Sequence, residues 1–137
     1  MARRVLLDTG FVLALVNASD PDHDRCVEVW RGLRARLFSV EGVLVECAHL
    51  LRRISGATSA AFHLVFAAGT QLVPLSEVRI ERALDLMAKY HDVPMDFVDA
   101  MLVVVAEEYG VHEVLTLDRR GFSAYRAKGR ERFRVFP

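Results

Sequence analysis

The 137-residue sequence is poor in cysteine: Cys26 and Cys47 are its only two, and they form no C-x-x-C pair. That excludes a disulfide framework, and it fits a reducing, cytoplasmic setting. Only four prolines and eight glycines are present, with no stretch rich in either, so the chain has no linker, low-complexity segment or internal repeat. Long apolar runs are lacking too. Phe97 to Ala106 falls far short of the roughly 18 residues a membrane span needs, and Asp99 interrupts it. The start, Met-Ala-Arg-Arg followed by apolar residues, imitates a signal peptide, but Asp8 sits inside the would-be apolar region and no small-x-small site follows. No membrane association is expected. An excess of either charge is also missing, with 18 basic and 18 acidic residues giving a net charge of zero. Nucleic-acid partners usually announce themselves by excess positive charge.

What is abundant is apolar material. Hydrophobic residues make up 53% of the chain and the mean hydropathy is +0.21, enough for a self-sufficient core and incompatible with disorder. The length suits one domain, residues 1–137. Val5–Leu7 reads as a strand closed by Asp8, with Thr9 and Gly10 as a turn and Phe11–Val16 as a short helix. Asp22–Arg34 reads as an amphipathic helix with Cys26, Val29, Trp30 and Leu33 on its apolar side. Leu37–Ser39 is strand-like, and helices are predicted for Gly42–Arg53 and Thr58–Ala68. Gln71–Leu75 is a strand that Pro74 marks as an edge. Ser76–Tyr90 is a helix with Val78, Ala83, Leu84, Leu86 and Met87 as its apolar surface. Asp96–Tyr109 is a helix apolar on nearly every side, Val114–Leu117 a buried strand, and Phe133–Phe136 a last short one. Strands alternating with helices predict an α/β fold, a short parallel sheet with helices on both faces. Every strand then ends at one edge of the sheet, where such folds place their sites.

That topology filters the acidic residues, most of which sit on polar helix faces as solvated surface. Asp8 and Asp118 each end a strand at the same edge. Either alone is explained as a helix N-cap; capping twice over is a poorer account of the pair. Glu46 borders the stripe formed by Val43, Cys47, Leu50 and Ile54, where an inward carboxylate is costly unless it is paired or metal-bound. Glu41, at the helix start, is explained by the macrodipole. Asp99 is the only polar residue from Phe97 to Ala106. Asp96 precedes it by three, as an N-cap that Asp99 completes. Crowded carboxylates repel strongly unless they protonate or share a cation. Hard oxygen donors suit Mg²⁺ or Mn²⁺, and the want of Cys/His ligand pairs argues against zinc. Such an ion polarises a phosphate and acidifies a water, so the chemistry indicated is metal-assisted phosphoester hydrolysis, with substrate size left open.

Other readings compete with that one. A receiver-like phosphoacceptor module also gathers aspartates at strand ends, but it wants a lysine after a late strand, and Lys89 and Lys128 are misplaced for it. A phosphatase with a nucleophilic aspartate usually carries a second acid two residues on, where this chain has Gly10. A non-catalytic RNA-binding or scaffold domain is the remaining alternative. The five histidines lack metal spacing or a triad context and read as ordinary surface or turn residues.

Val-Leu-Leu-Asp8-Thr-Gly, the helical Glu46, Pro94-Met-Asp-Phe-Val-Asp99-Ala and Leu-Thr-Leu-Asp118-Arg-Arg-Gly-Phe122 together resemble the PIN domain. Among PIN domains the closest resemblance is to the VapC-type ribonuclease toxins of bacterial toxin–antitoxin pairs. The resemblance covers essentially the whole chain. It implies a PIN-like three-layer α/β/α domain with a sheet of about four to five strands, and an endoribonuclease dependent on Mg²⁺ or Mn²⁺. It maps the acidic cluster onto Asp8, Glu46, Asp99 and Asp118, with Asp96 as a further acid near the metal. Thr9, Thr116, Arg119 and Arg120 are implied as supporting or substrate-contacting residues. A homodimer and a cognate VapB-type antitoxin are implied as partners. Finally, the zero net charge conceals an uneven distribution. Glu77 to Asp118 holds ten acids against three bases, whereas Arg119 to Arg134 holds seven bases against Glu131 alone. That basic run is expected to form a phosphate-gripping rim beside the acidic pocket.

Overall fold

Val5, Leu6 and Leu7 are wholly buried in the computed structural model, which describes residues 2–137. A strand with no polar alternation is one covered on both faces, as parallel sheets are. In chain order the elements are β1 (Arg4–Leu7), α1 (Thr9–Val16), α2 (His23–Gly32), β2 (Arg36–Ser39), α3 (Glu41–Leu51), α4 (Ala57–Ala67) and β3 (Gln71–Leu72). There follow α5 (Glu77–Lys89), α6 (Phe97–Tyr109), β4 (Glu113–Leu115), α7 (Arg119–Ala124), β5 (Arg126–Ala127), β6 (Glu131–Arg132) and β7 (Arg134–Phe136).

Five strands form one parallel sheet in the order β3-β2-β1-β4-β7, and β5 and β6 form a separate antiparallel hairpin. The register sets Arg4 beside Arg36, Leu6 beside Val114 and Glu113 beside Arg134. Right-handed crossovers place α1 to α4 on one face and α5 to α7 on the other. The three-layer α/β/α arrangement and the five-stranded sheet are as expected, and β3 is indeed an edge strand. Helix α6 is buried continuously from Ala100 to Ala106, which accounts for its apolar residues on every side. No described helix is long and apolar enough to cross a membrane.

Several sequence expectations need correction. Thr9 and Gly10 are not a turn: they are the first residues of α1, because Asp8 itself supplies the cap. The buried stripe of α3 runs Val43, Cys47, Leu51, while Leu50 and Ile54 are exposed. The expected stripe was one residue out of phase at its far end. On α5 only Ala83 and Leu86 are buried, and Val78 and Leu84 face outward. Helix α7 is the helix that the capping reading of Asp118 calls for, whereas the β5–β6 hairpin has no counterpart among the sequence expectations.

Candidate active site

Strand β1 ends at Leu7, yet its pairing with β4 continues one residue further: the Asp8 amide donates to the Leu115 carbonyl at 3.0 Å. The Ser39 hydroxyl, at the end of β2, donates to the Leu7 carbonyl at 2.8 Å. These bonds fix the carboxylate of Asp8 at the carboxyl edge of the sheet, 7% exposed. Its Oδ1 accepts the Thr9 amide at 2.8 Å and its Oδ2 accepts the Thr116 hydroxyl at 2.6 Å. Thr116, fully buried just beyond β4, in turn accepts the Asp118 amide on its hydroxyl oxygen at 2.9 Å. One hydroxyl thereby joins the ends of β1 and β4 and sets Asp8 against Asp118. Thr116 is buried, and both of its hydrogen bonds go to these two acidic residues.

Glu46 enters from α3. Its Oε1 accepts the Thr9 hydroxyl at 2.5 Å, and its other oxygen takes no hydrogen bond among the described residues. Thr9 is likewise buried, with its hydroxyl held by Glu46. Asp96 and Asp99 form a complete capping box at the start of α6. Asp96 accepts the Asp99 amide at 2.8 Å, and Asp99 accepts the Asp96 amide at 3.1 Å. Asp118 caps α7 by accepting the Gly121 amide at 3.0 Å on Oδ1. Capping and convergence are therefore not alternatives, since each cap leaves a carboxylate oxygen at the edge.

Burial and neighbouring charge act on two of the acids. Burial pushes the Asp8 carboxyl up to about 6, against the Thr116 and Thr9 donors, and the charges of Glu46 and Asp118 add to the rise. Asp99 is raised well above the carboxylate range, first by burial and then by the charges of Asp96, Asp8 and Asp118. Among the described residues, none of these five acids is in an ion pair. Nor do three of them draw together into a ligand-distance cluster, each being held by its own local donor. The donor set is wholly carboxylate oxygen, in no ion pair with a basic side chain among the described residues. It fits a hard divalent cation and does not fit zinc. The neighbouring Cys47 thiol is pushed up to about 12 by burial, Glu46 and Asp8, which makes it unreactive.

Two features were missed from sequence. Tyr125 is fully buried and its hydroxyl donates to the Pro94 carbonyl at 2.7 Å, clamping the turn that leads into Asp96. Burial raises the pKa of that hydroxyl, and the charges of Asp99, Asp118, Asp96 and Asp8 raise it further. Gly121 lies between the two: a Cβ there would collide with Asp118 Oδ2 and stand 2.9 Å from the Tyr125 hydroxyl. Nothing in the sequence pattern separates Tyr125 from an ordinary core aromatic.

The basic rim must be corrected. Arg119 and Arg120 open α7 directly after Asp118 and are exposed at the acidic edge, where Arg119 also bonds the Pro137 carbonyl. The later cations go elsewhere. Arg134 begins β7 opposite Glu113, the first residue of β4, and so lies at the amino edge. The chain crosses from one edge to the other within the basic run, which a charge count does not reveal.

A match to the PIN domain family spans residues 5–128. The chain is 33% identical to ribonuclease VapC26 of Mycobacterium tuberculosis over 135 residues, 97% of this chain and all of that one. Its fold is similar to that of VapC20 of Mycobacterium tuberculosis, described as a sarcin–ricin loop cleaving toxin. The TM-score is 0.73 at 24% identity, over 80% of this chain and 86% of that one. VapBC2 of Rickettsia felis, solved with a DNA fragment from its promoter, matches at a TM-score of 0.66 and 9% identity, over 98% and 99% of the two chains.

Proposed function

The chain belongs to the PIN domain family, and on that footing we propose that it is a VapC-type endoribonuclease whose activity depends on Mg²⁺ or Mn²⁺. The observation that supports the reading is that Thr9 bonds both Asp8 and Glu46 and Thr116 ties Asp8 to Asp118 at the carboxyl edge of the sheet, with Asp99 at the start of α6 and none of these acids in an ion pair among the described residues. Asp8, Asp99 and Asp118 would hold the ion, with Asp96 beside them. Bound there, a divalent cation supplies Lewis-acid polarisation of the scissile phosphate and lowers the pKa of a water. Glu46, oriented by Thr9, faces the same space and accepts the proton of the attacking water. Thr116 keeps Asp8 and Asp118 in fixed relation. Arg119 and Arg120 meet the phosphates next to the cut, and no side chain acts as nucleophile.

The same reading includes a VapB-type antitoxin as inhibitor, a homodimer as assembly, and a cytoplasmic location suited to two free, buried cysteines. Exposed apolar side chains are available to such partners on α3 and α4, where Val45, Leu50 and Phe66 are each more than half exposed. The test is Asp8→Asn. Mn²⁺-dependent RNA cleavage should fall by about 10³-fold or more, EDTA should abolish it in the wild type, and the circular dichroism spectrum should not change. Full activity in the variant would sink the assignment.

A further inference from the structure

The two edges of the sheet carry opposite charge. At the carboxyl edge stand the acids of the site. At the amino edge β1 and β2 begin with Arg4 and Arg36 side by side, and β7 begins with Arg134. In the strand order these three starts lie within three strand spacings, about 14 Å at ~4.8 Å per strand. Arg34 leads into β2, and the β5–β6 hairpin brings two more cations, Arg130 and Arg132. The hairpin is fastened at this end of the molecule. The Lys128 amide donates to Glu107 on the last turn of α6 at 2.6 Å, and Glu131 bonds the side chain of His112, which precedes β4. At its tip Lys128 and Gly129 both take left-handed backbone, with φ of 53° and 76°.

The acids nearby are already committed. Glu107 pairs with Arg82, Glu108 with Arg79, and Glu113 with both Arg3 and Arg134. Arg34, Arg36, Arg130 and Arg132 are exposed and have no ion pair among the described residues. Like charges this close disfavour the fold slightly, so these four unpaired arginines are a liability unless an anion covers them. We propose that this amino-edge arginine face is a second RNA-binding surface, which grips substrate phosphates at the end of the molecule opposite the cut. The nuclease reading supplies the identity of the polyanion; the geometry supplies the surface. The RNA that is cut productively is then one long enough, or folded enough, to reach around the domain. A few nucleotides bound at the carboxylates do not touch this face.

The test compares wild type with the triple variant Arg34→Gln, Arg36→Gln, Arg132→Gln, none of which contacts the acidic cluster. Binding of total ribosomal RNA and of a tetranucleotide RNA is measured over a range of salt, together with Mn²⁺-dependent cleavage of each. Affinity for ribosomal RNA should drop about tenfold or more, and the slope of log K against log salt should shrink by about 2, near the loss of three phosphate contacts. The tetranucleotide should be handled equally by both proteins. An unchanged affinity and slope for ribosomal RNA would overturn the proposal. Duplex DNA bound as tightly as RNA, and losing as much in the variant, would overturn RNA as the occupant. If wild type cleaves neither RNA, the nuclease reading fails, while the salt slopes still decide whether the face binds the polymer.

Discussion

Asp8 has to be nearly buried, hydrogen-bonded and charged at once. Its carboxyl is raised from 3.8 to about 6, so ionising it in the folded protein costs about 3 kcal/mol more than in the unfolded chain. The Thr9 and Thr116 donors reduce that cost without cancelling it. Between pH 3.8 and 6 the folded state holds more protons at this site than the unfolded state does, so the stability contributed here is full below pH 4 and is lost as pH rises through 6. In EDTA, the stability of wild type relative to Asp8→Asn should therefore fall by a few kcal/mol from pH 4 to pH 7, measured by denaturant titration at each pH. A difference that stays flat, or rises, would show that Asp8 is not strained by its charge. Asp8 and Asp118 were legible from sequence because strand ends punctuate an apolar pattern. Asp99 was legible as the one polar residue in the apolar run from Phe97 to Ala106. Tyr125 was not, because its part lies in a hydroxyl 31 residues from the carbonyl it bonds.

Helices α3 and α6 carry Glu46 and Asp99, and they meet where Gly42 faces Val98. A Cβ on Gly42 would stand 2.8 Å from Val98 Cγ2, on a β-branched side chain with little rotamer freedom to retreat. Gly42→Ala gains up to about 1 kcal/mol in helix propensity and loses about 1–3 kcal/mol to overpacking, so the net effect is destabilising. Because the strain parts the two helices, affinity for Mn²⁺ should weaken as well, read by isothermal titration. Gly32→Ala in α2, where a Cβ meets nothing within 4 Å, should stabilise instead. Equal effects of the two substitutions on stability and metal affinity would refute the packing account. At this scale the long elements were readable from periodicity, and the errors have local causes. On α3 Leu50 and Leu51 are adjacent and equally apolar, so only packing chooses which is buried. The strands of the β5–β6 hairpin are two residues each, too short for any alternation, and are fixed by contacts with Glu107 and His112.

For the molecule as a whole, a net charge of zero conceals a group of acids at one edge of the sheet and a group of unpaired arginines at the other, set apart by the length of the strands. Sequence order showed the asymmetry but misplaced it, because β7 returns the basic run to the far edge. The acidic end is destabilising to its own fold unless a cation joins it, so metal binding and folding are linked. A divalent ion bound only by the folded state at a hundredfold its Kd adds about 2.7 kcal/mol, which for a domain of this size raises the thermal midpoint by about 10 °C. Mn²⁺ should produce such a shift by calorimetry, and EDTA should reverse it. The ligands must be deprotonated to bind, and the Asp8 and Asp99 carboxyls are both raised, so the shift should be larger at pH 8 than at pH 6. Asp8→Asn should remove most of it. Sodium chloride at matched ionic strength screens the carboxylates without bridging them and should give only a small part of the effect. If salt alone reproduced the Mn²⁺ shift, the acids would be relieved by screening, and no specific ion would belong to this edge.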